Sequence, residues 1–288
     1  MTEATGRGPA RSSSLLRVHV PASAPRGLPP LAPRPAWLYL PPAHPGTGAR
    51  PIPLGAEEGL PVLVLMSGQP GSPEDWVSRG DLATTMDSLA VRYGGRGPIV
   101  LVVDQLGSSW RNPLGSDTPR GGAAATYLER DVPTWLREHT AVSADPARWA
   151  IGGVSNGATC ALQVIARRRA PFRTFLAMSA QVRPALEPPV LTVPIGFGGD
   201  REAFEANDPL SLWDAAAPGA YDGVAGILSA GRSDRRYAPS VSTLAHGAGA
   251  AGIEVSTRTY NGGHEWSVWS RALADQADWL AGRLGLGT

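Results

Sequence analysis

Uninterrupted runs of apolar residues recur along the chain, and most of them end in small or polar residues. A typical run is LPVLVLMSG at 60–68, in which branched residues follow one another without polar alternation. Such runs are typical of strands that are buried on both faces of a sheet. The predicted strands of the central part lie at 60–68, 97–105, 148–155, 174–180, 224–231 and 253–261.

Apolar residues with helical spacing lie between these runs and predict helices. In 158–166 they fall at positions i, i+3, i+4, i+7 and i+8. The same pattern predicts a helix through Leu128, Val132, Trp135 and Leu136, with Pro133 as a kink or a helix start, and a final helix through Trp269, Leu273, Leu280 and Leu284. Strands that alternate with helices predict an α/β fold, whose mostly parallel central sheet has helices on both faces.

The N-terminal part has a different pattern. The segments LLRVHVP (15–21) and PAWLYLPP (35–42) predict short strands, and the many prolines around them exclude a long helix there. We expect these two strands to form an antiparallel edge of the sheet. Residues 1–14 are small and polar and are expected to be disordered, while residues 15–288 are expected to form a single domain.

Composition narrows the possible chemistry. The chain is 42% hydrophobic and 18% charged, which is typical of a soluble globular protein, and its net charge of +1 argues against a surface for nucleic acid or anionic lipid. All 26 basic residues are arginine, which excludes a Schiff-base lysine, a Ser-Lys dyad and a Walker phosphate loop. The single cysteine, Cys160, is predicted within a buried helix, and it excludes an internal disulfide and a thiolate metal cluster. No metal or other cofactor is expected.

The chain also lacks the hydropathy pattern of a membrane protein. It contains no uncharged apolar run of 18 residues, so no membrane span is predicted. The polar N-terminal residues do not resemble a signal peptide, and a cytoplasmic location is therefore expected. Nothing in the pattern predicts an oligomeric state.

Residues with catalytic potential follow three of the predicted strands, at the edge where α/β sheets collect functional groups. Ser155 lies in GGVSNG directly after one strand, Asp234 follows the strand GILSAG, and His264 follows the last strand on a glycine loop. Serine, acid and then histidine is the chain order of an α/β-hydrolase triad. We therefore predict that Ser155 is the nucleophile, that His264 is the general base, and that Asp234 orients the histidine.

Each of these assignments has an alternative, which for His264 is an ordinary surface-loop histidine. A Gly-x-Ser-x-Gly match is a weak signal in a glycine-rich chain, so Ser155 could be an ordinary loop serine. Its position after a buried strand favours a nucleophile, because Gly153 and Gly157 leave room for a strained strand-to-helix turn. For the acid, Asp200 follows the segment GFGG and competes with Asp234.

A serine nucleophile also requires donors for the negative charge of the tetrahedral intermediate. One predicted donor is the backbone N–H of Asn156, which follows the nucleophile, and the other is that of Gln69, in the loop after the first buried strand. Trp76, Trp110 and Trp266 lie near the same strand ends and are candidates for a substrate pocket. Simple packing is the alternative for each tryptophan.

The chain resembles the putative-esterase family, which contains esterase D and the antigen 85 mycolyltransferases. The resemblance is carried by LMSGQPGSPEDW, VVDQLGS, TYLERDVPTWL, DPARWAIGGVSNGATCALQ, FLAMSAQ and NGGHEWSVW, and it extends from PAWLYLPP to the C-terminus. It implies an α/β-hydrolase fold and a metal-free Ser-His-acid mechanism of ester hydrolysis or acyl transfer. Ser155 and His264 match the family's nucleophile and base, and Asp234, in GRSDRRY, matches the acid of the esterase branch. Asn156 departs from the Met or Tyr that is common after the nucleophile.

The sequence thus predicts a serine carboxylic-ester hydrolase that works through an acyl-enzyme on a small-molecule or lipid-like ester. An acyltransferase that uses the same triad with an alcohol acceptor is the first alternative. A catalytically silent hydrolase fold that serves for binding is the alternative from another class.

Overall fold

The computed structural model describes residues 12–23, 25, 27–29, 32–45 and 59–287. Residues 1–11 of the predicted N-terminal segment lie outside these ranges. The first strand begins at Ser14, one residue before the predicted boundary between that segment and the domain.

Ten strands are formed by the described residues. They are β1 (Ser14–Val20), β2 (Arg34–Leu40), β3 (Val62–Met66), β4 (Ile99–Val103), β5 (Asp117–Thr118), β6 (Gly122–Ala123), β7 (Trp149–Val154), β8 (Thr174–Met178), β9 (Ala225–Gly231) and β10 (Glu254–Tyr260). Eight of them correspond to the eight predicted strands. The short β5–β6 hairpin was not predicted.

The helices of the described residues alternate with the strands. They are α1 (Glu74–Ser78), α2 (Leu82–Arg92), α3 (Ala124–Thr126), α4 (Val132–His139), α5 (Asn156–Arg167), α6 (Arg201–Glu205), α7 (Pro209–Asp214), α8 (Ala238–Ala250) and α9 (Trp266–Arg283). Single π-helical turns lie at Tyr127–Asp131 and Thr192–Gly196. Pro133 is in the first turn of α4, where a proline costs no hydrogen bond, and it therefore marks a helix start.

The strands β1–β4 and β7–β10 form one eight-stranded sheet in the order β1-β2-β4-β3-β7-β8-β9-β10. The six strands from β4 to β10 in this order pair in parallel, and β1 and β2 add an antiparallel edge. The prediction of a mostly parallel sheet with an antiparallel N-terminal edge is confirmed.

Each face of the sheet carries its own hydrophobic core. Val62, Val64 and Met66 of β3 point into the core formed with α4, α5 and α8, whereas Leu63 and Leu65 point into the core formed with α1, α2 and α9. All five side chains are fully buried. The continuous apolar run of β3 follows directly from this arrangement, because successive residues of a strand face opposite sides.

The order of the strands creates a crevice at the carboxyl edge of the sheet. In the sheet, β3 has β4 on one side and β7 on the other. The connection from β3 to β4 and the connection from β7 to β8 therefore run in opposite directions across the sheet. Open α/β sheets bind ligands at such a switch point. Gln69 and Ser155 follow the two strands that flank it, and Asp234 and His264 follow β9 and β10 at the same edge.

Candidate active site

Ser155 lies at the sharp turn between β7 and α5, with φ 52° and ψ −116°. A positive φ is unfavourable for any residue with a side chain, so the turn is strained. A Cβ atom on Gly153 would lie 2.7 Å from the carbonyl oxygen of Met66, and one on Gly157 would lie 2.5 Å from the same oxygen. Only glycine fits at these two positions, and the turn therefore presents Ser155 at the carboxyl edge of the sheet.

His264 lies between Ser155 and Asp234. Its Nε2 atom is 3.0 Å from the Oγ atom of Ser155, and its Nδ1 atom is 2.7 Å from the Oδ2 atom of Asp234. A carboxylate only accepts hydrogen bonds, so Nδ1 carries the hydrogen and Nε2 is free to accept from the serine hydroxyl. Asp234 is only 3% exposed, and its Oδ1 atom accepts the backbone N–H of Tyr237 at 3.1 Å. Both carboxylate oxygens are therefore fixed.

Asp200, the other candidate for the acid, has a structural role in a different place. It is exposed at the start of α6, and its Oδ1 atom accepts the backbone N–H of Ala203 at 2.9 Å. This is an N-cap interaction, which satisfies a helix N–H that has no partner within the helix. Of the two carboxylates, only Asp234 contacts His264.

Gln69 and Asn156, the predicted oxyanion donors, lie on either side of the nucleophile. A Cβ atom on Gly68 would be 3.3 Å from the Cβ atom of Ser155, so the loop that carries Gln69 passes directly beside the serine. Asn156 opens α5, where a helix N–H has no partner within the helix. Within the described residues, neither backbone N–H donates to another backbone or side-chain group. Both remain available to a bound oxyanion.

Tyr237 is a residue of the site that the sequence reasoning missed. Its ring packs on the imidazole of His264, with a centroid distance of 4.6 Å and an interplanar angle of 34°. Trp269 packs edge-on against the same imidazole at 4.8 Å, so two aromatic rings contact the histidine. Burial raises the pKa of the Tyr237 phenol, and an interaction with the Ser155 hydroxyl acts in the opposite direction. No local motif around Tyr237 signals this position in the sequence.

The three candidate tryptophans occupy different environments. Trp76 is fully buried, donates its indole N–H to the carbonyl oxygen of Met66, and packs edge-on against Trp266. The prediction that Trp76 lines a substrate pocket is therefore wrong, because its ring has no exposed surface. Trp266 is also largely buried and belongs to the same core. Trp110, in contrast, is 79% exposed and lines a cavity of about 270 Å³ beside Gln69, which we call the Trp110 cavity.

Cys160 is buried in α5, as the sequence predicted. Burial raises the pKa of its thiol to about 12. Within the part of the chain that the structure describes, no three His, Cys, Asp or Glu side chains are grouped so that they could hold a metal ion. None of the helices described above is both long enough and apolar enough to cross a bilayer.

Comparison with solved structures identifies the fold. A ferulic acid esterase superposes with a TM-score of 0.73 at 19% sequence identity, covering 94% of this chain and 99% of that protein. The S-formylglutathione hydrolase of Agrobacterium tumefaciens superposes with a TM-score of 0.71 at 18% identity, covering 98% of this chain and 99% of the hydrolase. The chain thus has the α/β-hydrolase fold.

Comparison of sequences identifies the family. An uncharacterized protein of Corynebacterium glutamicum is 38% identical over 256 residues, which are 88% of this chain and 58% of that relative. The chain therefore spans less than two thirds of the length of this relative. The family model described as "Putative esterase" matches residues 33–280. Because this match covers most of the chain, the protein belongs to the putative-esterase family.

Proposed function

We propose that the protein is a serine carboxylic-ester hydrolase in which Ser155 is the nucleophile, His264 is the general base and Asp234 orients and stabilises the imidazole. The observation that supports this most directly is the 3.0 Å distance between Ser155 Oγ and His264 Nε2 on a strained strand-to-helix turn. Family membership agrees with an ester substrate, as do the names of the two structural neighbours, an esterase and a hydrolase.

In the proposed reaction, His264 accepts the proton of Ser155 while the serine oxygen attacks the ester carbonyl. The carbonyl oxygen becomes negatively charged and is bound by the N–H groups of Gln69 and Asn156. His264 then donates the proton to the departing alcohol, which leaves an acyl-enzyme on Ser155. A water molecule, deprotonated by His264, attacks the acyl group and releases the acid and the free serine.

The surroundings of His264 are open to water as the final acceptor. The side chain of His264 retains 33% of its exposure, although its two ring nitrogens contact Asp234 and Ser155. Solvent therefore reaches the base without the opening of a lid. We propose hydrolysis as the principal reaction, and an alcohol that competes with water would have to bind beside the same imidazole.

The proposal is tested with Ser155→Ala and with the matched control Ser242→Ala, a serine that is exposed on α8. We expect Ser155→Ala to lose hydrolysis of 4-nitrophenyl acetate down to the background, because removal of the serine nucleophile costs about 10⁶-fold in a serine protease. A fluorophosphonate should form one covalent adduct per chain with the wild type and with Ser242→Ala, but none with Ser155→Ala, as measured by mass spectrometry.

Thermal unfolding of the same three proteins serves as the control for folding. The Ser155 hydroxyl contacts His264 at the edge of the sheet and belongs to neither hydrophobic core, so the melting temperature should change little. Full hydrolytic activity of a folded Ser155→Ala variant would refute the proposal. Loss of activity together with a large fall in melting temperature would assign Ser155 a structural role.

A further inference from the structure

We propose that the Trp110 cavity binds a carboxylate on the ester substrate, and that Arg111 and Arg120 supply the opposite charge. The inference rests on the proposed function, because it names the class of ester that Ser155 attacks. It concerns the cavity itself, in whose described lining Gln69 is the one residue of the proposed catalytic machinery.

The cavity is built against the predicted oxyanion donors. The side-chain amide of Gln69 donates to the carbonyl oxygen of Trp110 at 2.9 Å. On the other side, the side-chain amide of Asn156 donates to the Oδ1 atom of Asn112 at 3.3 Å. Gln69, Trp110 and Asn112 all line the cavity. A group that enters it is therefore close to the loop that passes beside Ser155, and the wall that it meets is hydrogen-bonded to both predicted oxyanion donors.

The cavity carries unbalanced positive charge. Arg111 donates to the carbonyl oxygen of Arg120 at 2.8 Å, which holds the two residues together. Neither guanidinium forms an ion pair with a carboxylate among the described residues. Glu187 is the one acidic residue of the described lining, and it is already paired with Arg236. A carboxylate bound in the cavity would offset the positive charge of these two guanidinium groups.

The lining also has an apolar part, and two of its residues are exposed. Trp110 is 79% exposed and Ile195 is 45% exposed, and Leu186 and Leu191 complete this part of the wall. Covering exposed apolar surface with a ligand is favourable, because the surface is removed from water. A volume of about 270 Å³ is at the lower limit for small-molecule pockets, so it accepts a group of about the size of one ring. The class of substrate is therefore an ester that has a compact apolar or aromatic body and an ionised carboxylate.

Two matched pairs of esters test this inference and locate the carboxylate. In the first pair, 4-acetoxybenzoate and its methyl ester differ in the charge of the leaving group. In the second pair, mono-4-nitrophenyl glutarate and 4-nitrophenyl butyrate differ in the charge of the acyl group. The readout is the ratio of kcat/KM for the anionic ester to kcat/KM for the neutral ester. It is measured for the wild type, for the double variant that carries both Arg111→Gln and Arg120→Gln, and for Arg258→Gln. Arg258 is an exposed arginine on the edge strand β10 and is the matched control.

We expect the double variant to lower this ratio by about 10- to 100-fold in one of the two pairs, which is the usual range for a lost hydrogen bond to a charged group. The control Arg258→Gln should leave both ratios as they are in the wild type. Added salt should lower the wild-type ratio and leave that of the double variant unchanged, because ions screen exposed charges.

The outcomes separate the two proposals. If the wild type hydrolyses the neutral esters through Ser155 but the double variant leaves both ratios unchanged, the carboxylate site is refuted and the hydrolase proposal stands. An equal fall for the anionic and the neutral ester refutes the site in the same way. If the wild type hydrolyses none of the four esters, both proposals are overturned.

Discussion

Asp234→Asn is the perturbation that examines the proposed mechanism most closely. The side chain keeps its size, but the charge next to His264 is lost. The amide can also turn its NH₂ group toward Nδ1, and the imidazole would then carry its hydrogen on Nε2 and could no longer accept the serine proton. A bound substrate is not expected to contact Asp234, since the carboxylate is buried and contacts the imidazole. KM should therefore change little while kcat falls.

The size of the fall follows from the geometry. The Nδ1 and Oδ2 atoms are 2.7 Å apart, and the centres of the two delocalised charges are about 4 Å apart when the imidazole is protonated. At an effective dielectric constant of about 20, this pair is worth about 4 kcal/mol. That free energy corresponds to roughly 10³-fold in rate, because each 1.36 kcal/mol or so is a factor of ten. The wrong tautomer adds to the loss, and the same change costs about 10⁴-fold in a serine protease.

The assay compares kcat and KM on 4-nitrophenyl acetate for Asp234→Asn and Asp200→Asn. Asparagine is as good an N-cap as aspartate, so Asp200→Asn should stay within about twofold of the wild type. The reasoning is refuted if Asp234→Asn retains more than about a tenth of the wild-type kcat while its melting temperature is normal. A severe loss in Asp200→Asn alone would assign the acid to the segment after GFGG.

Three further outcomes are expected. Tyr237→Phe keeps the ring that packs on His264, and its kcat on the same ester should stay within about tenfold of the wild type. Tyr237→Ala removes the ring, and its kcat should fall further. Equal effects of the two variants would contradict a positioning role for the ring. Glu129→Gln leaves the guanidinium of Arg167, which is 2% exposed, without its counter-charge. This variant should lower the free energy of unfolding, measured in urea, by about 3–5 kcal/mol. A change below about 1 kcal/mol would contradict this. Cys160 should resist iodoacetamide at pH 8 until the protein is unfolded, because a pKa of about 12 keeps the thiol protonated; rapid alkylation of the folded protein would disprove its burial.

The long apolar strands could be predicted from the sequence because a strand that is buried on both faces needs apolar residues at successive positions. The run of β3 is an example, since each of its five residues faces a core. The β5–β6 hairpin could not be predicted, because strands of two residues are too short to show any periodicity. The π-helical turn at Tyr127–Asp131 has the same apolar spacing as the helix that follows it, and the sequence therefore does not distinguish the two.

The candidate site could be predicted where a residue with catalytic potential directly follows a predicted strand. Ser155 and His264 follow strands and have glycine neighbours, so their positions carried a signal. Trp76 was assigned wrongly because a tryptophan near a strand end can face either the solvent or the core, and only the placement of α1 decides this. Tyr237 was missed because its contact with His264 depends on how two distant loops meet, which no local pattern encodes.

The position of His264 beyond the edge strand β10 has a consequence for synthesis of the protein. Ser155 and His264 are 109 residues apart, and β10 pairs with β9 alone in the sheet. A ribosome delivers the chain from its N-terminus, so the serine turn emerges and can fold well before the imidazole exists. Until β10 joins the sheet, the nascent chain holds Ser155 without His264 beside it. If the proposed mechanism holds, the nascent chain is inert toward esters until β10 is in place.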